Sequence, residues 1–270
     1  MPELPEVETT VHGLRDVLEG ARLTRVEPRR ADLRRVIPVD LRQRLTGATV
    51  TGLSRRAKSG LIDTDRGDTL IFHLGMSGRW RVDPAEIGTH DHLVIETEAG
   101  RRLALCDPRR FGSLDLVETA ALPGFAPFAA LGPEPLGPDF TGRYLAAKLE
   151  DRIAPIKAML LDQRIVAGLG NIYVCEALHM AGIAPIREAG RIGHAKLDAL
   201  VVAIREVLTA AIEAGGSTLR DYARPDGELG YFSSQWRVYG REGEPCRCGR
   251  PVLRRVDSGR STFFCAKCQG

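Results

Sequence analysis

The chain has 270 residues, 43% of them hydrophobic, with 38 basic side chains against 35 acidic ones and a formal charge of +3. This is enough apolar content for two domains and a small appendage. No apolar run is long enough to span a bilayer, which leaves a soluble cytoplasmic protein as the expectation, and the near-balance of charge says little about partners.

The first six residues, Met1-Pro2-Glu3-Leu4-Pro5-Glu6, carry the strongest chemical signal. Removal of Met1 from a small second residue leaves a secondary amine on Pro2. An α-amino group titrates near pH ~7.7–8.0, so a useful fraction is uncharged at neutral pH. Attack of such an amine on a sugar's anomeric carbon gives an iminium, an electron sink that acidifies the neighbouring proton and permits elimination of phosphate. Glu3 is placed to move protons at the same sugar, and Glu6 to hold the amine. Taken alone, Pro2 and Pro5 also fit the punctuation of an extended lead into a helix, with Glu6 and Glu8 in its first turn. Leu4, Val7, Val11, Leu14 and Leu18 recur at helical spacing and predict a buried helix from about Pro5 to Glu19.

Short β-rich runs follow at Thr69 to Leu74, His92 to Glu98 and Arg102 to Cys106, with turns at Arg66-Gly67 and Ala99-Gly100. They predict an antiparallel sandwich. Two basic clusters lie in this half, Arg55-Arg56-Ala57-Lys58 and Asp107-Pro108-Arg109-Arg110-Phe111-Gly112, most of whose charges read as a solvated rim. Phe111 beside Arg109 is more informative, because an apolar wedge with a guanidinium fills the space a base leaves when it swings out of a duplex. Met76 is a second candidate wedge, with a core position as its rival. In His90-Asp91-His92 one exposed phosphate ligand is expected rather than a metal pair.

Eight prolines and glycines between Leu122 and Phe140 exclude regular structure there and read as a linker. Helical patterns then run over Tyr144 to Leu149, Ile156 to Leu161, Ile172 to Ala181 and Ala195 to Ala214. The turn Val166 to Ile172 feeds a helix start, whose exposed amides suit a phosphate, the alternative being an ordinary interhelical turn with Asn171 as its cap. The loop from Gly215 to Tyr231 has the glycine content of loops that close over ligands.

Cys246, Cys248, Cys265 and Cys268 read C-x-C, sixteen residues, C-x-x-C, in a tail fit for a two-stranded hairpin. Four thiolates complete a tetrahedral structural zinc site, and so small a tail cannot bury enough apolar surface to fold unaided. A disulfide pair is disfavoured because no secretory signal accompanies the chain. Cys106 and Cys175 lie in apolar runs and read as core. From Arg241 onward, seven basic residues face three acidic ones, suiting the hairpin to phosphate contacts. Arg260 sits at the predicted bend, between Gly259 and Ser261-Thr262.

Taken together, Met1 to Thr9, Arg56-Ala57-Lys58, His73 to Gly78, Asp107 to Gly112, Leu131 to Leu136, Gly170 to Tyr173 and the cysteine tail resemble the bacterial formamidopyrimidine-DNA glycosylase family from the first residue to the last. The resemblance implies an α+β fold: an N-terminal catalytic β-sandwich with a leading helix (1–121), the Pro/Gly-rich linker (122–140), a helix-two-turns-helix domain with a lesion loop (141–235) and a zinc-finger hairpin (236–270). It implies Pro2 as Schiff-base nucleophile, Glu3 as acid/base partner, Lys58 on the β-elimination and Arg260 on the δ-elimination. It places His90, Arg109, Arg152 and Asn171 on DNA. Met76, Arg109 and Phe111 fill the vacated stack, Arg109 also sensing the orphaned base, preferably cytosine, and Lys157 and the loop from Ser217 to Tyr231 lie near the flipped base. One structural zinc is implied, held by Cys246, Cys248, Cys265 and Cys268. So is a monomeric, nucleoid-associated enzyme of base excision repair acting on duplex DNA that contains 8-oxoguanine or formamidopyrimidines.

Two departures stand out. The family usually spaces its first cysteine pair C-x-x-C, and here Cys246-Arg247-Cys248 is one residue shorter. Ser59 follows Lys58 where an aromatic residue is common. The competing readings are an endonuclease VIII-like glycosylase for oxidised pyrimidines, a non-catalytic damaged-DNA binder and a zinc-ribbon structural module.

Overall fold

The computed structural model describes residues 2–217, 225 and 230–270. They fall into two compact units, Met1–Ala129 with Ala214–Tyr231, and Ala130–Glu213 with Phe232–Gly270.

The first unit begins with α1 (Leu4–Leu18), close to the predicted span. A capping box starts this helix: Glu3 accepts from the Glu6 backbone, and Glu6 Oε2 accepts from the Glu3 N–H at 2.8 Å. Val7, Val11, Leu14 and Leu18, three or four residues apart, are fully buried. Then come β1 (Leu23–Pro28), the short helix α2 (Leu41–Leu45), β2 (Val50–Arg56), β3 (Ser59–Thr64), β4 (Asp68–His73), β5 (Arg79–Val82), β6 (Asp91–Thr97), β7 (Arg102–Cys106) and β8 (Ser113–Glu118).

These strands form two antiparallel four-stranded sheets, β1-β6-β7-β5 and β2-β3-β4-β8, the expected sandwich. The turns at Gly67 and Gly100 are left-handed, with φ of 75° and 78°, as their composition required. Three strands fall within one residue of the sequence reading. The remaining five were not separable from their surroundings, because short runs such as Arg79-Trp80-Arg81-Val82 carry too little period-2 pattern. Inside, Phe72 and Trp80 meet edge to face at 5.5 Å, which adds about 0.5–1.5 kcal/mol beyond area burial. Leu14, Leu53, Leu70 and Leu105 belong to the same core, so α1 and both sheets share it.

The Pro/Gly-rich stretch contains more order than its composition suggested. Thr119–Gly124 is a 3₁₀ turn and α3 (Ala126–Ala129) a single helical turn. Further on, Arg205 donates to the carbonyls of Pro135, Gly137 and Phe140 at 2.9–3.3 Å, and Phe140 is fully buried. A charged guanidinium thus supplies the backbone partners that this proline-rich segment cannot make for itself.

The second unit contains α4 (Gly142–Leu149), α5 (Ile156–Leu161), α6 (Asn171–Met180), α7 (His194–Glu213) and the hairpin β9 (Leu253–Asp257) and β10 (Arg260–Phe264). Thr141 caps α4 through its hydroxyl. Every residue of α6 from Ile172 to His179 is buried, which makes it the central helix of the unit. Among the described residues no helix is long and apolar enough to cross a membrane.

Candidate active site and nucleic-acid interface

Pro2 and Glu3 are both buried at the start of α1. The sequence reading gave Glu6 the task of holding the amine. In the structure its carboxylate, 2% exposed, takes the amide that follows Pro2, and Oε1 accepts the Ser217 N–H at 2.8 Å. Glu6 therefore joins the chemical terminus to Ser217, near the start of the glycine-rich loop. Most of that loop, 218–224 and 226–229, lies outside the described residues.

Lys58 occupies the two-residue turn between β2 and β3, where Ala57 takes a left-handed φ of 53°. Arg55 fixes this turn: its Nε meets Glu8 Oε2 at 2.6 Å and its guanidinium also donates to the Ala57 carbonyl at 2.9 Å. With its side chain only 8% exposed, Arg55 is not part of a solvated rim, and Glu8 does more than complement the helix dipole. The pair locks α1 to the Lys58 hairpin. On the adjoining strand, His73 is paired with Ser59, and its Nδ1 accepts the Gly75 N–H at 3.0 Å. Burial first, and then the charges of Lys58, Arg34 and Arg35, pull its pKa down to about 4, so the imidazole is neutral at pH 7. Spacing gave no sign of this role.

Met76 and Phe111 are 36% and 44% exposed, so neither is a core residue. Arg109 is exposed too, with its guanidinium carbon 4.9 Å from the Phe111 ring centre, a cation–π contact. Two glycines let these loops meet backbone to backbone. Gly75 has φ 62°, and a Cβ there would fall 2.4 Å from the Phe111 carbonyl carbon; a Cβ on Gly112 would fall 2.7 Å from the His73 oxygen. His90 is exposed and His92 buried.

In the second unit, Gly170 is the N-cap of α6 and Asn171 its first residue, so Asn171 is not the cap. Its side-chain amide instead donates to the Ser261 carbonyl at 2.8 Å. Lys157, 3% exposed, donates to that same carbonyl at 3.2 Å and to Thr262 Oγ1 at 2.7 Å. Thr262 in turn donates to Asp257 Oδ2 at 2.6 Å. Burial lowers the Lys157 pKa, with Asp257 among the groups that partly restore it. Two helices thereby grip the turn end of the hairpin, where Arg260 is exposed just after the left-handed Ser258-Gly259 turn. Arg152 is exposed between α4 and α5.

The four tail thiols cluster with all sulfurs within 4.8 Å of one another. Cys246 and Cys268 are 3.8 Å apart, and Cys248 and Cys265 3.5 Å. A tetrahedron of sulfurs each ~2.3 Å from a metal has edges of roughly 3.8 Å. The shorter C-x-C spacing thus still yields a four-sulfur cage able to hold a metal. The Arg250 backbone amide helps bring the Cys248 thiol down to about 7, while Cys268, donating to Cys248, is pushed up to about 12. Four sulfurs this close cannot all ionise without a cation among them. His179 Nε2 stands 3.3 Å from Cys246 Sγ, and Gln269 ties the Cys265 amide to the Ile183 carbonyl. Cys106 and Cys175 are buried, as expected of core residues.

Residues 1–114 match the family model for the formamidopyrimidine-DNA glycosylase N-terminal domain, and residues 131–223 that for the formamidopyrimidine-DNA glycosylase H2TH domain. The chain is 77% identical over its whole length, and that of the relative, to formamidopyrimidine-DNA glycosylase of Rhizorhabdus wittichii, and 66% identical on the same terms to that of Novosphingobium aromaticivorans. Its fold is similar to the MutM (Fpg) protein of Thermus thermophilus, with a TM-score of 0.89 and 42% identity over 99% of this chain and 98% of that one. It is also similar to a Lactococcus lactis Fpg mutant solved in complex with Fapy-dG containing DNA, with a TM-score of 0.92 and 35% identity over 99% of both chains. With its sandwich, its helical unit and its cysteine-clustered hairpin matched end to end, this chain belongs to the formamidopyrimidine-DNA glycosylase family.

Proposed function

We propose that the chain is a bifunctional DNA glycosylase and AP lyase of base excision repair that removes oxidised purines from duplex DNA. The observation that carries this reading is the match to formamidopyrimidine-DNA glycosylases over the full chain, including the Pro2-Glu3 terminus.

After Met1 is removed, the Pro2 nitrogen bonds to C1′ of the damaged nucleotide as the bond from C1′ to the base breaks. Glu3 transfers the protons that this exchange requires. The sugar ring then opens at C1′–O4′, with O4′ taking a proton, and the iminium left at C1′ acidifies the C2′ proton; its loss expels the 3′ phosphate, and a second elimination expels the 5′ phosphate. Lys58 serves the first elimination and Arg260 the second, while His90, Arg109, Arg152 and Asn171 hold the DNA. Met76, Arg109 and Phe111 occupy the vacated stack.

Cys246, Cys248, Cys265 and Cys268 would hold one zinc ion, whose contribution is to cross-link the hairpin. Neither step calls for a diffusible cofactor. Duplex DNA as substrate supports a site of action on the bacterial nucleoid, and the family resemblance supports a monomer.

Borohydride added during reaction with an 8-oxoguanine duplex should capture a covalent protein–DNA adduct, and protein that retains Met1 by intact mass should form none. No adduct with fully processed protein would support the non-catalytic binder. Preferential cutting of thymine glycol over 8-oxoguanine would favour the endonuclease VIII-like reading.

A further inference from the structure

Three exposed loop tips that the proposed function places on DNA, those of Met76, His90 and Arg109 to Phe111, are tied to one buried residue, Asp107, which is 1% exposed. Its Oδ1 accepts the Ser77 hydroxyl at 2.7 Å, and Ser77 in turn accepts the Arg109 N–H at 3.3 Å. Its Oδ2 accepts the Gly112 N–H at 2.8 Å. The Asp107 amide donates to the His90 carbonyl at 2.9 Å, while its carbonyl accepts from His92 Nε2 at 2.9 Å.

We infer that Asp107, acting through Ser77, is a positioning residue that fixes the Met76 tip against the Arg109–Phe111 tip and thereby sets discrimination of the orphaned base. The physical reason is geometric. The two tips belong to different strand connections, and at Gly75 and Gly112 they approach too closely for a side chain to fit between them. The carboxylate is the group that spans both loops with short hydrogen bonds, and it does so away from water, where such bonds are strongest. A wedge and a guanidinium that must enter one vacated stack together need a fixed separation, since displacement on the order of 1 Å is enough to degrade a positioned group.

This inference rests on the glycosylase reading, and its test separates the two. Wild-type, Asp107→Ala, Asp107→Asn and Ser77→Ala proteins are compared on 8-oxoguanine opposite cytosine, 8-oxoguanine opposite adenine and a preformed abasic duplex, with 2-aminopurine beside the orphaned base reporting wedge insertion. Asp107→Ala and Ser77→Ala should lower excision opposite cytosine about tenfold and bring the cytosine-over-adenine preference towards unity. Nicking of the abasic duplex, whose stack is already vacated, should stay within about twofold, and the 2-aminopurine signal should fall. Asp107→Asn should recover most of the preference, because the amide can still accept from Gly112 and donate to the Ser77 oxygen.

Ser77→Ala removes a single hydroxyl and keeps the test open if Asp107→Ala fails to fold. An unchanged cytosine preference in folded variants, or equal losses of excision and abasic nicking, would overturn the inference. If the wild-type protein itself left 8-oxoguanine uncut, the functional reading would fail and the inference with it.

Discussion

Glu6 and Ser217, 211 positions apart in sequence, are joined by a 2.8 Å hydrogen bond from the Ser217 amide to a carboxylate that also caps the helix beginning after Glu3. The nucleophilic end proposed for this enzyme and the entrance to its glycine-rich loop therefore share one acceptor group. Glu6→Gln keeps the shape but presents an N–H to one of the two amides. We expect a loss of about 1–3 kcal/mol, the usual effect of leaving a buried donor unpaired, read as a lower urea midpoint with an unchanged slope. An unaltered midpoint would show the clamp to be dispensable.

The neutral state of His73 makes stability depend on pH. Its pKa lies at about 4 in the fold against 6.5 for the free group, so the unfolded chain binds more protons within that window. Stability conferred by this site is complete above pH ~6.5 and declines as pH falls towards 4, by on the order of 1–3 kcal/mol. Replacing His73 with Gln should flatten the slope of unfolding free energy against pH across this interval. An imidazole resonance titrating near 6.5 in the folded protein would contradict the assignment.

Glu176, 1% exposed on α6, accepts the amides of Arg237, Val238 and Tyr239 at 2.8–2.9 Å and so anchors the segment leading into the cysteine hairpin. Glu176→Ala strands these donors, which should lower stability by roughly 3–5 kcal/mol. Amide exchange at 237–239 should accelerate more than exchange in the sandwich; uniform acceleration would argue for global destabilisation instead.

Metal removal should act locally. Titrating the thiols with a mercurial should release one equivalent of zinc, detected with a chromophoric chelator, because the hairpin has only a small apolar cluster to hold it otherwise. Affinity for an abasic-analogue duplex should fall by at least tenfold while the sandwich keeps its melting transition. Release of no metal from protein that still binds DNA would remove the structural zinc from the account.

The sequence alone determined the features that depend on residue type and local spacing. The Pro2-Glu3 terminus, the apolar stripe of α1, the four helical patterns of the second half and the paired cysteines each declare themselves within a few residues, because their chemistry or periodicity is local. Tertiary structure alone decided which buried polar groups those elements share. Glu6 with Ser217, Arg55 with Glu8, Glu176 with residues 237–239 and Asp107 with Ser77 and Gly112 mostly join distant positions. A carboxylate's sequence neighbours do not reveal which backbone amides will need it once water is gone.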